Sequence, residues 1–438
     1  MQGQALPGFR DFYPEELAFR NSIFATWREV ARRYGFQEYD GPPLEPLELY
    51  TEKSGEEIVQ QLYAFEDKGG RTVALRPEMT PTLARMVGAR AQALKKPLRW
   101  FSIPQLFRYE RQQRGRLREH FQLNMDIVGA SSSLADAEVI AAAIDVVRAF
   151  GFGPADIRVR ISDREAVTTY LKMHVKIETA AQLTGVLSVF DRYERDKANA
   201  RAALEDVFRG DNDRIEKTME VAESLKNGTP NLTNHVPLES ELEKPGHISI
   251  SGQGRLNDCL DHLRAMGLGD YVETDFGIVR GLAYYTGIVF EMFDTAGSMR
   301  AICGGGRYDN LLNQIAGVDL PCVGFGMGDV VLGELVKARG AAAVSTQLDA
   351  FLVAVSGEDV DPVLRLAHDL RDHGLAVEYG LRHAAVGKQL ELAAARGAPR
   401  AVILGPEERK AKVAVVRDLQ TGKQRKVALT KVRKGVFK

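Results

Sequence analysis

FRYERQQRGRLREHFQLNMDIVG, residues 107–129, is the stretch on which the fold turns. Nine of its side chains are Arg, Glu, His or Asp, and a core strand cannot bury that many charges without partners. The middle, Arg111 to Arg118, holds Gly115 and has no apolar period beyond Leu117, which predicts a basic loop between two strands. Trp100, Phe101, Ile103, Leu106 and Phe107 lead in. Phe121, Leu123, Met125 and Ile127 lead out, alternating with His120, Gln122, Asn124 and Asp126. The alternation sets His120, Gln122 and Asp126 on one polar face and packs the other into a core. Such a face suits a small polar ligand and the arginine-rich loop a polyanion. An exposed antiparallel hairpin with a solvated face would read the same way.

Around this stretch, 438 residues exceed one ordinary core, so two or three domains are expected. Cys259, Cys303 and Cys322 are odd in number and show no C-x-x-C spacing, which argues against a disulfide framework or a zinc site and fits a reducing, cytoplasmic setting. MQGQALPGFRDFYPEEL lacks a signal-peptide apolar run, and no segment nears the roughly 18 apolar residues of a membrane span. The net charge of -1 is unevenly spread. Residues 396–438 carry 13 Lys and Arg against three acids, a local +10 that suits either a solvated tail or a nucleic-acid contact.

In chain order, Pro14 to Tyr34 reads as a helix, with Ile23, Trp27, Val30 and Tyr34 on one stripe. Pro42, Pro43 and Pro46 then forbid a long regular element. Thr72 to Leu75 predicts a short strand, with Glu78 and Thr80 at its end before a helix near Pro81; these two are either binding groups or helix caps. Ala135 to Phe150 has helical spacing and Ile157 to Ile161 reads as a strand. From about Asp163 to Gly269 the pattern is mostly helical, an inserted subdomain whose charged run reads as a solvated face. IVRGLAYYTGIVFEMF (278–293) predicts a tight turn holding Arg280, Tyr284 and Tyr285 before a strand. The GGG of AICGGGRYDNLL (301–312) reads as a turn or a close backbone approach before a helix, and VGFGMGDVVLGELV (323–336) as a buried strand, then a helix. After linker-like residues 338–347, alternating strands and helices predict an α/β domain of about ninety residues.

With these motifs in order, the chain resembles the histidyl-tRNA synthetase family, class II aminoacyl-tRNA synthetases. GFRDFYPEE (8–16), RRYGFQEYDGPPLEP (32–46), SGEEIVQQLYAFEDKGGR (54–71), LRPEMTPT (75–82), FRYERQQRGRLREHFQ (107–122), RGLAYYTGIVFE (280–291), GGGRYDNLL (304–312) and VGFGMG (323–328) carry the likeness, RGLAYY with GGGRYD being its specific part. The resemblance implies an α+β fold: a class II antiparallel sheet with flanking helices in a catalytic domain over 1–338, a helical insertion near 163–269, and an α/β anticodon-binding domain over 348–438. It implies ATP-dependent attachment of L-histidine to tRNA(His) through a histidyl-adenylate, with Mg2+, in a homodimer joined near Pro14 to Leu49.

Residue by residue, it implies that Arg108 contacts the α-phosphate with Glu110 toward the adenine, and that Arg280 lies between the histidine carboxylate and the α-phosphate. Glu78, Thr80 and Gln122 would hold the α-ammonium; Asp126, Tyr284 and Tyr285 would read the amino acid, and Tyr308 would close the pocket. Arg111 and Gln113 would meet the acceptor end of the tRNA. No Mg2+ ligands are indicated. Three departures stand out. Val330 and Val331 replace the Glu-Arg pair whose arginine grips the γ-phosphate, which shifts triphosphate binding toward Arg116, Arg280 and Mg2+. His120 takes the adenine-stacking position where Phe is usual, and Ala283 stands where Asp is frequent. The rival readings are a synthetase-like regulatory subunit of histidine biosynthesis, which lacks the anticodon domain and the RGLxYY arginine, and a tRNA-sensing module, for which no effector domain remains.

Overall fold

Glu119–Val128, the outgoing half of the opening stretch, is a ten-residue strand whose last six residues are all buried. The polar face is therefore enclosed, and the solvated-hairpin reading is set aside. The computed structural model describes residues 3–51, 61–110, 115–193, 197–226, 251–278, 284–297, 299–340, 348–382 and 384–437. The chain divides into two units, residues 1–342 and 343–438.

In the first unit the strands are β1 (Gln37–Glu38), β2 (Leu44–Pro46), β3 (Tyr63–Glu66), β4 (Thr72–Leu75), β5 (Leu98–Ser102), β6 (Gln105–Phe107), β7 (Glu119–Val128), β8 (Ile157–Asp163), β9 (Val272–Thr274), β10 (Ile288–Asp294), β11 (Cys303–Arg307) and β12 (Cys322–Gly328). The large sheet runs β1-β5-β7-β12-β11-β10-β8-β9, with β6 on the first half of β7, and β2-β4-β3 form a smaller sheet. Pairing is antiparallel through the centre and parallel only at the ends, β1 with β5 and β8 with β9.

One face of the large sheet carries the main core. Leu123, Met125 and Ile127 meet Ile23, Trp27 and Val30 of the helix Pro14–Arg33, and Ile140, Ile144 and Val147 of the helix Ser133–Ala149. The first helix opens with Pro14 and acidic Glu15 and Glu16 and closes with Arg32 and Arg33, each sign matched to the helix dipole. The other face packs Val128, Val289, Tyr308 and Cys322 beneath the helices Thr80–Ala89 and Leu311–Ala316.

After β8 the insertion supplies the helices Arg164–Val175, Ala180–Arg192, Lys197–Phe208, Asn212–Lys226 and Ser251–Ala265 before β9 returns beside β8. Leu204, Phe208 and Ile215 point inward while Lys197 and Glu223 pair on the surface, so the charged run covers the outside of these helices. One expectation is corrected. The GGG is no turn: Gly304 to Gly306 run through buried β11, and a helix starts only at Leu311.

The second unit is a five-stranded sheet, β14-β13-β15-β16-β17, built from β13 (Ala350–Ala354), β14 (Val377–Tyr379), β15 (Arg400–Leu404), β16 (Val413–Asp418) and β17 (Gln424–Ala428). The parallel pairs are linked by the helices Val360–Asp372 and Val386–Ala395. Leu352 and Val402 pack on one face and Phe351 and Ala401 on the other. The basic residues after 396 are thus no tail. They decorate β15 to β17, with Lys423, Arg425 and Lys426 exposed around the edge strand.

Candidate active site

Antiparallel register aligns Asp126, Gly324, Gly306 and Val289 in one row across the sheet, and Asn124, Gly326, Gly304 and Glu291 in the next. Paired residues on neighbouring strands project to the same side. Four glycines therefore leave a side-chain-free floor bounded by Asp126 and Asn124. The glycines are needed for room. A Cβ at Gly324 would run into the Asp126 carboxylate, one at Gly326 would stand 2.6 Å from Gln122 Nε2, and one at Gly306 would stand 3.0 Å from Tyr285 Cδ1.

Along one side of this floor the buried polar groups meet. The Tyr308 hydroxyl donates to Asp126 Oδ1 at 2.5 Å, and the Tyr284 hydroxyl to Glu78 Oε2 at 3.0 Å. Burial pushes the Asp126 carboxyl up to about 7 against the opposing pull of the Tyr308 hydrogen bond. Burial, with Asp126 and Glu78 nearby, also raises the Tyr308 and Tyr284 hydroxyls well above the usual range, so both stay protonated donors. The Tyr284 ring lies 5.1 Å from Tyr285 and 5.8 Å from Tyr308. Thr80 sits beside the Tyr284 hydroxyl. The helix Thr80–Ala89 has Met79 as its N-cap with no side-chain cap bond, and Glu78, just before it, accepts from the Tyr284 hydroxyl.

Beside the pocket lies a cleft of about 210 Å³. Its lining includes Arg108, Glu110, Arg116, His120 and Gln122, together with Arg300, Gly304, Gly326, Val330 and Val331. Arg108 Nε donates to the Pro77 carbonyl at 2.9 Å, joining β6 to the turn that carries Glu78. Arg116 pairs with the Glu110 carboxylate. Burial, reinforced by Arg108, Arg10 and Arg116, lowers the His120 imidazole to about 3, which keeps the ring neutral in a cationic surround. Beneath, Arg10 bridges Glu119 Oε1 at 2.6 Å and Asp329 Oδ2 at 2.9 Å, and Asp329 Oδ1 accepts the Phe121 N–H at 2.9 Å. These bonds tie the start of the helix Asp329–Ala338 to β7.

Glu78, Thr80, Asp126, Tyr284, Tyr285 and Tyr308 thus come together in the pocket, and Arg108, Glu110, Arg116, His120 and Gln122 in the cleft. Arg280, Arg111 and Gln113 lie outside the described residues. Sequence reasoning missed Arg300, whose only signal was a cation just before the glycine strand. It also missed Tyr39, which meets Trp100 at 5.4 Å and whose hydroxyl feels the Asp126 charge; its proline-rich neighbourhood reads as an edge. Among the described residues no group of three or more His, Cys, Asp or Glu could hold a metal ion. Nor is any described helix long and apolar enough to cross a membrane.

Residues 8–329 match the family described as histidyl-tRNA synthetase, and residues 349–437 an anticodon binding domain. The histidine–tRNA ligase of Opitutus terrae is 45% identical over 420 residues, covering 95% of this chain and 94% of that one. The histidine–tRNA ligase of Thermoplasma volcanium is 38% identical over 437 residues, covering 98% and 97%. The crystal structure of histidyl-tRNA synthetase from Nostoc sp. PCC 7120 superposes with a TM-score of 0.75 at 25% identity over 100% and 99% of the two chains. With its family-specific stretches lining one pocket and cleft, and relatives matched along nearly its whole length, the chain belongs to the histidyl-tRNA synthetase family.

Proposed function

We propose that the chain attaches L-histidine to tRNA(His) in two steps at the pocket and cleft over the glycine floor, using ATP. The observation that supports the reading is that one strand serves both parts: β7 carries Asp126 into a buried tyrosine–carboxylate cluster, and His120 and Gln122 into a cleft lined by guanidinium groups. Histidine fits the first part. Its imidazole N–H donates to the Asp126 carboxylate, which Tyr308 holds in place, while Tyr285 flanks the ring. Its α-ammonium is met by Glu78, Thr80 and Gln122, with Tyr284 fixing Glu78. A site of buried hydrogen-bonding groups rejects amino acids that lack the partner atoms by roughly 10⁴ to 10⁵.

ATP fits the second part, its adenine between Glu110 and the neutral His120 ring and its phosphates among the arginines. A histidine carboxylate oxygen attacks the α-phosphorus, the bond to the bridging oxygen breaks, and pyrophosphate leaves. Arg108, together with Arg280, stabilises the charge that gathers at phosphorus. A hydroxyl of the terminal ribose of the tRNA then attacks the acyl carbon and AMP departs. Mg2+, when bound, would neutralise phosphate charge beside these arginines.

The first unit is the catalytic part, with its insertion over 163–269, and the basic second unit takes the anticodon end of the tRNA. Arg111 and Gln113 take its acceptor end. A homodimer forms through Pro14 to Leu49. The regulatory-subunit reading has less behind it, since the chain matches an anticodon binding domain. Histidine-dependent exchange of pyrophosphate into ATP, followed by charging of tRNA(His), is the test. A folded preparation that catalyses neither overturns the reading.

A further inference from the structure

The cleft holds a cation that no sequence motif announced. Arg300 lies in the β10–β11 connection, pinned on both sides: the Asp294 carboxylate accepts the Met299 N–H at 3.2 Å, and Ile302 N–H donates to the Met292 carbonyl at 2.7 Å. Met299 is packed against the main core, so the chain on either side of Arg300 is anchored to the sheet. Arg300 lines the same cleft as Arg108 and Arg116. Val330 and Val331, also part of the lining, offer a triphosphate only apolar surface. A triphosphate in this cleft, with its α-phosphate at Arg108, needs a further positive group along its length, because phosphate oxygens moved out of water must be met by donors or cations.

We infer that Arg300 binds the β- and γ-phosphates of ATP, supplying from the β10–β11 connection the cation that Val331 cannot. The inference rests on the ATP reading of the cleft. It assigns this residue a role in holding the leaving pyrophosphate portion, separate from Arg108 at the reacting phosphorus. An arginine there presents a fork of N–H donors suited to two phosphate oxygens at once, whereas lysine offers a point charge.

The test measures pyrophosphate exchange for the full-length wild type, Arg300→Gln and Arg300→Lys, with ATP and histidine varied in turn and AMP as a competitive inhibitor. Arg300→Gln is expected to raise the KM for ATP about tenfold while leaving the histidine KM and the AMP inhibition constant unchanged, because AMP carries no β- or γ-phosphate. Arg300→Lys is expected to recover part of the loss. An unchanged ATP KM, a fall confined to kcat, or an equal loss of AMP affinity would overturn the assignment. Thermal melts of each variant separate a contact from a folding defect: a lowered melting temperature with AMP and ATP weakened alike counts against it. A wild type without exchange activity would instead sink the ligase reading, so the two failures are told apart.

Discussion

Replacing Asp126 by Asn tests whether the carboxylate is held in the pocket at a cost. Asp126 is 3% exposed and its pKa stands at about 7 in the folded chain, against about 3.9 for an unfolded aspartate. Between these values the folded state keeps the proton and the unfolded state has released it. Stability therefore falls as pH rises through that window and stays low above it. The penalty is on the order of 1–2 kcal/mol near pH 5 and about 4 kcal/mol near pH 8. Asparagine keeps an acceptor for the Tyr308 hydroxyl but cannot ionise, so it escapes the penalty. The stability of Asp126→Asn relative to wild type should rise by roughly 2–3 kcal/mol between pH 5 and pH 8. Urea unfolding followed by tryptophan fluorescence reads this well, since both tryptophans, Trp27 and Trp100, belong to the first unit and report it alone. The pH-dependent part isolates the charge, whatever the amide costs in packing. A wild-type-to-variant difference that stays flat over this range refutes the argument. The same ionisation makes wild-type histidine binding strengthen as pH rises through about 7, because the ionised carboxylate is the acceptor the imidazole N–H needs, and Asp126→Asn should lose that limb.

Three further outcomes follow from the geometry. His120→Phe should lower the ATP KM by an amount worth about 0.5–1 kcal/mol through fuller stacking; the pH profile of that KM above pH 5 should not change, because His120 is already neutral there with its pKa near about 3, and exchange kinetics across pH would expose a lost acid limb if that is wrong. Gly324→Ala drives a methyl group into the Asp126 carboxylate; it should cost about 1–3 kcal/mol in urea unfolding and raise the histidine KM far more than the ATP KM. Arg307→Met strands Asp136, which is fully buried and accepts from Arg307 Nη2 at 2.8 Å and from its Nε at 2.9 Å. Removing one partner of such a pair should cost about 3–5 kcal/mol, and a loss under about 1 kcal/mol by the same unfolding assay would show that the pair is not what joins β11 to the helix Ser133–Ala149.

Asp126 and Gln122 were placed on one face by alternation alone, because a strand sends every second side chain the same way whatever surrounds it. That this face is buried could not be read locally, since burial depends on β5 and β12 arriving from residues 98–102 and 322–328 to flank β7. The GGG shows the limit most clearly. Three glycines in a row carry no periodicity, so they read equally as a turn or a close backbone approach, and in β11 two of them form the floor opposite Gly324 and Gly326. Their meaning lies in the partner strand. Arg300 was passed over for a similar reason, because nothing within the chain segment itself marks a lone arginine near a hairpin as facing a cleft.

Local order along the chain, then, determined the elements: the helix stripe of Ile23, Trp27 and Val30, the alternating strand to Val128, the helical texture of the insertion, and the α/β alternation of the second unit. Each arises from a period of two or of 3.6 residues that neighbours alone impose. The ligand-ready arrangement was decided by tertiary structure. Tyr308 reaches Asp126 across 182 residues of chain, Tyr284 reaches Glu78 across 206, and Asp329 reaches the Phe121 amide across 208. Such bonds are set by strand register and by glycines that let the sheet carry charged groups on a bare floor, and register exists only once distant strands have paired.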